Sequence, residues 1–314
     1  MIVAAAGSAR ARPLPPLPTR DGVGPSCVAL PAGPWATIAD FLAQRFPAIA
    51  PATWAARISA GEVVDEHGAA VTPTRRHQPQ LRVYYYRSLP PEPRLAFDET
   101  VLYRDAHLLV ADKPHFLPVT PSGSHLQETL LVRLKRRLGI DTLVPVHRID
   151  RETAGLVLFS IEPATRGRYQ QLFAERRVLK TYECIAPWCS ELPLPLTHRS
   201  RLVEDAHFMR MREAPGEPNS ETAIELIERR GALARYRLRP LTGRRHQLRV
   251  HCAALGMPIQ GDLIYPTLQP LGSDDPARPL QLLAQSLAFT DPVTGEPRHF
   301  DSGLQLAWSA LPSC

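Results

Sequence analysis

Residues 146–159 read VHRIDRETAGLVLF, and the interpretation of the rest of the chain starts from them. The run His147–Arg151 holds one acid, Asp150, between two arginines. Ala154-Gly155 then leads into four consecutive apolar residues, a pattern typical of a buried strand. Asp150 is therefore expected either to pair with its charged neighbours on the surface or to be a working carboxylate in a cationic cleft.

The chain before this stretch contains another strand and a basic helix. Leu108–Ala111 is an apolar run that ends in Asp112-Lys113-Pro114, and it predicts a buried strand. A helix is predicted from about Leu130, with leucines along one face and Gly139 at its end. The rest of its surface carries Arg133, Lys135, Arg136 and Arg137. This basic face either lies against phosphates or is solvated.

After residue 159, helical and strand patterns follow one another without a regular order. A helix is predicted around residues 165–177. The predicted strands are Lys180–Ile185, Glu221–Ile227, Ala234–Leu238 and Leu282–Phe289. Because strands and helices do not alternate as they do in parallel α/β proteins, the sequence predicts an α+β domain with a mixed, largely antiparallel sheet.

A second charged segment, residues 241–265, reads LTGRRHQLRVHCAALGMPIQGDLIY. A helix is predicted from about His246 to Leu255, with Gly256 as its end. Arg245 and Arg249 are four positions apart and are expected to share a face near its start. This helix is expected either to place a guanidinium against a carboxylate from another loop or to expose a cationic face to solvent.

The first ninety or so residues predict a tail, a small module and a linker. Residues 1–33 are rich in Pro, Ala and Gly without periodicity, and they predict a tail or a strap laid over the protein. Residues 34–89 contain two short helical patterns, the first opening with a capping box at Thr37, and then a small hairpin. Residues 90–96 have the composition of a linker, and the larger domain is expected to span residues 97–314.

The composition is that of a globular protein with an unusual excess of arginine. The 314 residues are 44% hydrophobic and 22% charged, with a formal charge of +6. Three lysines stand beside thirty-four arginines. Because guanidinium groups suit phosphates and stack on bases, this balance favours a nucleic acid as partner. A GC-rich coding bias would produce the same excess.

The sequence also predicts a compartment. No apolar run approaches the roughly 20 residues that a membrane span needs, so no membrane contact is expected. The N terminus reaches Arg and Pro too early for a signal peptide. The five cysteines are scattered without C-x-x-C spacing, which predicts neither a disulfide framework nor a zinc site. Together these features predict a cytoplasmic protein.

Several motifs resemble those of one enzyme family, the RluA-type pseudouridine synthases. Residues 147–156 resemble its signature loop, His-Arg-Leu-Asp-Arg-x-Thr-Ser-Gly-Leu. The family also has a strand ending in Lys-Pro, a Lys-x-Tyr strand, and a Thr-Gly-Arg-x-His-Gln-x-Arg-x-His helix that closes on Gly-Asp-x-x-Tyr. These are matched in order by Lys113-Pro114, Lys180–Tyr182, Thr242–His251 and Gly261–Tyr265. The small N-terminal module resembles the alpha-L RNA-binding motif that some members carry.

The resemblance implies an activity and a set of chemical roles. Members are isomerases that break the glycosidic bond of a uridine within RNA, turn the base and rejoin it through ring carbon five, without a metal or coenzyme. Asp150 matches the nucleophile or base, Arg249 the arginine that pairs with it, and Tyr182 the aromatic that stacks on uracil and is a candidate to remove the proton at ring carbon five. Whether Asp150 attacks the anomeric carbon, attacks ring carbon six or removes a sugar proton stays open.

The resemblance also implies contacts with RNA. Arg148 resembles the arginine that fills the space left by the flipped nucleotide. Arg151, Arg244 and Arg245 are candidate phosphate contacts, and His147 either contacts RNA or holds the loop by a hydrogen bond. Large-subunit ribosomal RNA is the first expected substrate and a tRNA anticodon stem-loop the second. A monomer is the default expectation.

Some positions depart from the family pattern. Ile149 replaces Leu, Ala154 replaces Ser, Arg245 stands where Thr is common, and Leu283 stands where many members have His.

Two other functions were weighed against the enzyme. A non-catalytic RNA-binding or ribosome-assembly factor would not need the set formed by Asp150, Tyr182 and Arg249. A hydrolase using His147 with Asp150 would lack a neighbouring Ser or Cys nucleophile. The enzyme therefore remains the favoured reading.

Overall fold

The computed structural model describes residues 17–87, 92–123 and 125–308. The chain divides into two compact units, with the boundary between Glu92 and Pro93. This boundary lies inside the predicted linker, of which residues 90 and 91 are outside the described ranges. Among the described residues, no helix combines the length and the apolar character that a membrane crossing requires.

The first unit combines a three-stranded antiparallel sheet with two helices. Its elements are β1 (Ser26–Ala29), α1 (Ile38–Arg45), α2 (Pro51–Ser59), β2 (Val63–Asp65) and β3 (Arg82–Tyr85). β3 is the central strand. The predicted capping box forms at the start of α1, where the Thr37 side chain accepts a hydrogen bond from the backbone N–H of Asp40. Phe41, Trp54 and Val83 are among the buried residues that join the helices to the sheet.

The prediction of an irregular tail over residues 1–33 is wrong for the segment that forms β1. Ser26–Ala29 pairs with β3 along four residues, and Leu30 directly after it is buried in the core of the unit. The place of β1 is fixed by backbone hydrogen bonds to β3. Its four residues hold too few apolar side chains for an alternating pattern to be recognised in the sequence. Residues 1–16 lie outside the described ranges.

The second unit is built on one large sheet with three helices among its described residues. Its strands are β4 (Thr100–Arg104), β5 (Leu108–Lys113), β6 (Val144–Pro145), β7 (Ala154–Ser160), β8 (Leu179–Pro187), β9 (Leu196–Glu204), β10 (Met211–Ala214), β11 (Ser220–Arg230), β12 (Leu233–Pro240), β13 (Leu282–Thr290) and β14 (Pro297–Asp301). Its helices are α3 (Leu130–Leu138), α4 (Pro163–Ala174) and α5 (Gln247–Ala254).

The order of the strands confirms the predicted mixed, largely antiparallel sheet. The path runs β10-β9-β11-β12-β8-β13-β7-β5-β4, with β14 beside β13 and β6 beside β7. β13 and β7 form a parallel pair, and the other pairs of this sheet are antiparallel. The parallel pair stands near the middle of the sheet, where both strands are mostly buried.

A glycine allows this central pairing. Gly155 lies opposite Ala284 of β13, and its φ of +108° lies in the region that favours glycine. A Cβ on Gly155 would stand 2.3 Å from the carbonyl oxygen of Ala284. Ala284 in turn pairs with Tyr182 of β8. The sheet therefore places the loop that precedes β7 close to Tyr182, two strand spacings away, about 10 Å.

The basic face predicted on α3 is largely used inside the protein. Arg133 forms an ion pair with Glu128 and donates to the backbone oxygens of Leu95 and Phe97. Arg137 lies 3.1 Å from the buried carboxylate of Glu99. These contacts fasten the segment before β4 to the helix and engage two of the four basic residues of this face.

Candidate active site

A cleft of about 1070 Å³ opens in the second unit beside the Asp150 loop. The eight residues that the sequence singled out as catalytic or RNA-binding all line it: His147, Arg148, Asp150, Arg151, Tyr182, Arg244, Arg245 and Arg249. They come from three parts of the chain, which are the loop between β6 and β7, strand β8, and the loop before α5 together with α5 itself. The fold therefore brings together residues that are about a hundred positions apart.

Asp150 is held in a turn just before β7. The backbone N–H of Thr153 donates to the carbonyl oxygen of Asp150, which closes the turn. The carboxylate is partly exposed, with 28% of its side-chain surface accessible, and its Oδ2 accepts a hydrogen bond of 3.3 Å from Nη1 of Arg249. The carboxylate is thus open to the cleft on one side and paired with a cation on the other.

Arg249 is the buried centre of this arrangement. Its side chain is 1% exposed, and its Nε and Nη2 donate to the two carboxylate oxygens of Asp262 at 2.8 and 2.7 Å. Its Nη1 also lies 3.5 Å from Glu152. Burial alone would lower the pKa of Arg249, but the hydrogen bonds and charge of Asp262, with the charges of Asp150 and Glu152, raise that pKa above its ordinary value. Arg249 is therefore a permanent cation held in one orientation by Asp262.

Asp262 belongs to the Gly-Asp-x-x-Tyr motif, and no role was predicted for it. Its carboxylate is 1% exposed, and besides Arg249 it accepts backbone hydrogen bonds from Ile264 and Tyr265 at 2.8 and 3.1 Å. Such a bidentate pair fixes both the position and the plane of a guanidinium. The pair was not predicted, because a spacing of thirteen residues between Asp262 and Arg249 matches neither the helical nor the strand period.

Tyr182 forms another wall of the cleft. It lies on β8 between Leu238 and Ala284, and it packs against the core formed by β8, β12 and α5. Burial, and then the negative charge of Asp150, raise the pKa of Tyr182 above its ordinary value of 10. The phenol is therefore protonated near neutral pH and lies close enough to Asp150 to feel its charge.

His147 is held as a neutral residue that supports the loop. Its Nε2 accepts a hydrogen bond of 3.1 Å from the backbone N–H of Leu158, and its ring stacks on Phe173 with centroids 4.6 Å apart. Burial, and then the charge of Lys180, lower the pKa of His147 to about 3. These contacts fit the loop-holding alternative that the sequence left open for this residue.

The arginines at the cleft differ in how free they are. Arg148 and Arg245 are exposed, and their guanidinium groups have no hydrogen bond or ion pair to the described part of the chain. Arg244 is exposed and donates through Nε to the backbone oxygen of Asn219 at 3.2 Å. These side chains keep all or most of their donors for a ligand.

Arg151, in contrast, uses both of its terminal nitrogens in ion pairs within the protein. It forms two hydrogen bonds to the carboxylate of Asp274, at 3.1 and 2.7 Å, and a third contact to Glu152 at 3.2 Å. Its guanidinium also stands 5.6 Å from the ring of Phe116. The predicted phosphate contact of Arg151 therefore competes with an existing bidentate ion pair.

A buried lysine supports the Asp150 loop from inside the protein. Lys113 is fully buried at the end of β5, and its Nζ donates to the backbone oxygens of Pro114 and Arg151 at 2.9 and 3.0 Å. Burial lowers the pKa of Lys113 to about 7, and the charges of Glu152 and Asp150 oppose this effect. The Lys-Pro motif thus fixes the backbone next to Asp150.

The loop before α5 is fixed by Gln247. This buried amide accepts hydrogen bonds from the Thr242 hydroxyl at 2.7 Å and from the Arg244 backbone N–H at 3.0 Å. Its Nε2 donates to the backbone oxygen of Glu221 and the hydroxyl of Thr222, both at 3.0 Å. The helix begins at Gln247, so Arg245 lies on the preceding loop. The prediction that Arg245 and Arg249 share a helix face is therefore wrong.

A group of potential metal ligands lies apart from Asp150. One atom each of His198, Glu213 and His251 lies within 4.8 Å of the others. His198 Nε2 is 2.7 Å from Glu213, while the two ring nitrogens of His251 lie 3.0 Å from the Thr222 hydroxyl and 2.9 Å from the Ser220 hydroxyl. Because both nitrogens of His251 have hydrogen-bond partners, we interpret this group as a network that joins α5 to the sheet.

The cleft combines groups that are suited to a chemical reaction on a bound ligand. It contains one partly exposed carboxylate, a buried arginine that pairs with it, a protonated tyrosine and a rim of exposed arginines. A carboxylate in this setting is suited to nucleophilic or general-base chemistry. Exposed guanidinium groups beside it are suited to phosphates.

Comparison with known proteins identifies the family. Residues 107–254 match the model of a family described as RNA pseudouridylate synthase. The dual-specificity RNA pseudouridine synthase RluA of Yersinia pestis is 32% identical over 212 residues, which are 64% of this chain and 96% of that protein. The chain belongs to the RluA-type family of RNA pseudouridine synthases.

Other similarities agree with this assignment. An uncharacterized RNA pseudouridine synthase of Synechocystis is 30% identical over 230 residues, which are 72% of this chain and 78% of that protein. The solved structure of human RNA pseudouridylate synthase domain containing 1 has 26% sequence identity and a TM-score of 0.54, and the match covers 68% of this chain and 86% of that chain. The protein is thus an RNA pseudouridine synthase, an isomerase whose partner is RNA.

Proposed function

We propose that this pseudouridine synthase isomerises a uridine in a structured loop of large-subunit ribosomal RNA. The observation that carries the proposal is the contact between Asp150 and Arg249 at a cleft whose rim holds exposed arginines. A tRNA stem-loop is the second candidate. The Yersinia pestis relative is named a dual-specificity RNA pseudouridine synthase, which agrees with keeping two candidate RNAs.

In this proposal Asp150 is the reacting carboxylate. The reaction breaks the bond between uracil N1 and the sugar and forms a bond from ring carbon five to the same sugar carbon. Ring carbon five loses one proton and N1 gains one, so the RNA keeps its composition. Asp150 either attacks the anomeric carbon, attacks ring carbon six or removes a sugar proton, and each of these steps requires its ionised form. The contact with Arg249 holds the carboxylate at the wall of the cleft.

Tyr182 is proposed to stack on the target uracil. Its position across the sheet from Gly155 supports a ring that faces the base while Asp150 faces the sugar. Its raised pKa keeps its hydroxyl protonated at neutral pH, so Tyr182 removes a proton from ring carbon five only if its own proton is first passed to another group.

The exposed arginines are proposed to bind the RNA around the flipped nucleotide. A base that is stacked in RNA must leave the stack before the enzyme reaches it, at a cost of a few kcal/mol. Arg148 stands two residues before Asp150 and is proposed to fill the vacated space, while Arg244 and Arg245 contact phosphates. We revise the expectation for the other two residues, so that Arg151 holds the loop through Asp274 and His147 holds it through Leu158.

The remaining expectations are part of the same proposal. The first unit is proposed to bind RNA as an alpha-L-like module, and its exposed Arg76 is one residue available for such a contact. A monomer is the proposed oligomeric state. A cytoplasmic compartment is supported by the free thiols of Cys27, Cys184, Cys189 and Cys252.

Pseudouridine mapping in a deletion strain tests the choice of RNA. Ribosomal RNA and tRNA are sequenced together from the deletion strain and from strains complemented with the wild-type gene or with an Asp150→Asn gene. We expect one large-subunit position to lose its pseudouridine in the deletion strain and to regain it only with the wild-type gene. A site lost from tRNA alone would replace the ribosomal assignment with the second candidate.

A further inference from the structure

His246 lies beside Asp150, and the sequence predicted no role for it. It directly precedes α5 with φ of +53° and ψ of +17°, a left-handed conformation that is uncommon for a residue other than glycine. Its side chain makes no capping hydrogen bond to the helix. Residues held in such conformations are strained, and they cluster at functional sites. The ring of His246 therefore does not serve as the cap of α5.

The ring of His246 is fixed from one side by Tyr265. Tyr265 is 3% exposed, and its hydroxyl oxygen accepts a hydrogen bond of 2.7 Å from the backbone N–H of Met211. The same oxygen lies 3.0 Å from Nδ1 of His246. Because a buried hydroxyl needs a partner for its own proton, Tyr265 donates to Nδ1. The proton of the neutral imidazole is then on Nε2.

The other side of the ring faces Asp150. Nε2 of His246 stands 4.0 Å from Oδ2 of Asp150, the same oxygen that accepts from Arg249 at 3.3 Å. Two donors thus converge on one oxygen of the carboxylate. The second oxygen, Oδ1, has no hydrogen-bond partner in the described part of the chain. A distance of 4.0 Å is long for a hydrogen bond, but such contacts often shorten when substrate binds.

The charge of His246 follows from the groups around it. Burial lowers its pKa below the ordinary value of 6.5; the negative charges of Asp150 and Glu152 oppose this effect, while Arg249 and Arg245 add to it. On its other side the ring contacts the hydroxyl of Tyr265. The imidazole is therefore neutral at pH 7, so it can donate a hydrogen bond to Asp150 without placing a positive charge beside it.

We propose that His246 is a positioning residue which, together with Arg249, holds Asp150 by Oδ2 and leaves Oδ1 free to meet the substrate uridine. This proposal rests on the proposed role of Asp150 as the reacting carboxylate. His246 makes no bond to the RNA and takes no proton from it. Tyr265 acts through His246, by keeping the ring in place and the proton on Nε2.

The test compares two substitutions of His246 in the full-length enzyme. The readout is tritium release from RNA that carries label at uridine ring carbon five. His246→Ala removes the donor, whereas His246→Gln keeps an N–H donor near the place of Nε2 but cannot carry a proton in the reaction. We expect kcat to fall about 10- to 100-fold in the Ala variant, with KM changed by less than about 3-fold, and to return to within about 5-fold of wild type in the Gln variant.

Tyr265→Phe completes a double-mutant cycle. Because Tyr265 acts through His246, we expect Tyr265→Phe to lower kcat in the wild-type background and to add little in the His246→Ala background. A Gln variant as inactive as the Ala variant would assign proton transfer to His246 and overturn the proposal. An Ala variant with wild-type kcat would overturn it as well.

A second measurement does not depend on the RNA substrate. In ¹⁵N-histidine NMR spectra of the wild-type protein, we expect His246 to be protonated on Nε2 and not on Nδ1. The opposite tautomer would overturn the proposal even if the activity data agree. If Asp150→Asn keeps full activity, the role of Asp150 itself fails, and this outcome is distinguishable from a failure at His246.

Discussion

Nη1 of Arg249 lies 3.3 Å from Oδ2 of Asp150, although the two residues are ninety-nine positions apart in the chain. The contact depends on the sheet, since the Asp150 loop leads into β7, and β7 is held in place by its parallel pairing with β13. It also depends on Asp262, which holds the other side of the guanidinium. The position of the Asp150 carboxylate is therefore a property of the whole second unit.

Replacement of Arg249 by Met is expected to reduce both stability and activity. The substitution leaves the buried carboxylate of Asp262 without its cation, and breaking a buried ion pair in this way costs about 3–5 kcal/mol. Urea unfolding measures the free energy of unfolding, and Arg199→Met is the matched control. Arg199 is exposed and pairs with Glu221, so its loss costs no more than about 1 kcal/mol. Equal effects of the two substitutions would contradict the central role of Arg249.

Gly155→Ala is expected to destabilise the second unit by more than about 2 kcal/mol. The added Cβ would stand 2.3 Å from the Ala284 carbonyl oxygen, and the backbone of Gly155 is in a region that other residues avoid. Gly167→Ala, in the middle of α4 with no atom within 4 Å of the added Cβ, is expected to stabilise by about 0.5–1 kcal/mol. Thermal unfolding of both variants checks the contrast, and a neutral Gly155→Ala would show that the β7–β13 pairing is not as tight as described.

The salt dependence of RNA binding separates the free arginines from the engaged one. Each phosphate contact contributes about 0.7–0.9 to the slope of log K against log salt. Arg244→Gln and Arg245→Gln are each expected to lower this slope by about one. Arg151→Gln is expected to leave it unchanged, because Arg151 is already paired with Asp274. A lower slope for Arg151→Gln would mean that RNA takes this arginine from Asp274.

The stability of the protein is expected to fall in mild acid, in part through His147. The pKa of His147 is lowered from its ordinary value of 6.5 to about 3 in the folded state, so between these values the unfolded chain binds a proton that the folded chain does not. Stability is then complete above pH 6.5 and decreases as the pH falls, with a slope approaching about 1.4 kcal/mol per pH unit.

His147→Gln isolates this contribution, because a Gln oxygen can replace Nε2 as the acceptor for Leu158 without binding a proton. In urea unfolding between pH 6.5 and 5, the free energy of unfolding is expected to fall less steeply in the variant, by the slope that one bound proton contributes. An identical slope in the two proteins would mean that His147 can be protonated without loss of its contacts.

The sequence predicted most of the fold in the second unit because its strands and helices have strong patterns. The apolar runs of β5, β7 and β13 and the leucine face of α3 appear where they were expected. β1 was not predicted, because four residues with one strongly apolar side chain give no periodic signal. β4, β9, β10 and β14 were also not assigned, since strands with exposed faces carry a weaker pattern than buried ones.

The residues that line the cleft were predicted by motif, but their supporting contacts were not. Resemblance pointed to Asp150, Tyr182 and Arg249, and all three line one cleft. The pairing of Arg151 with Asp274 could not be seen, because it joins two loops whose separation of 123 positions has no periodic meaning. The left-handed backbone of His246 is equally invisible in a sequence. Such details depend on three-dimensional packing.

Tritium release from RNA labelled at uridine ring carbon five, measured for wild type and Asp150→Asn, tests the central claim most directly. The variant keeps the size and shape of the side chain but removes its negative charge. We predict label release by the wild-type enzyme and none above background by the variant, with unchanged circular dichroism and RNA affinity within about 3-fold. Release by Asp150→Asn at the wild-type rate would contradict the account, because the reacting carboxylate would then lie elsewhere.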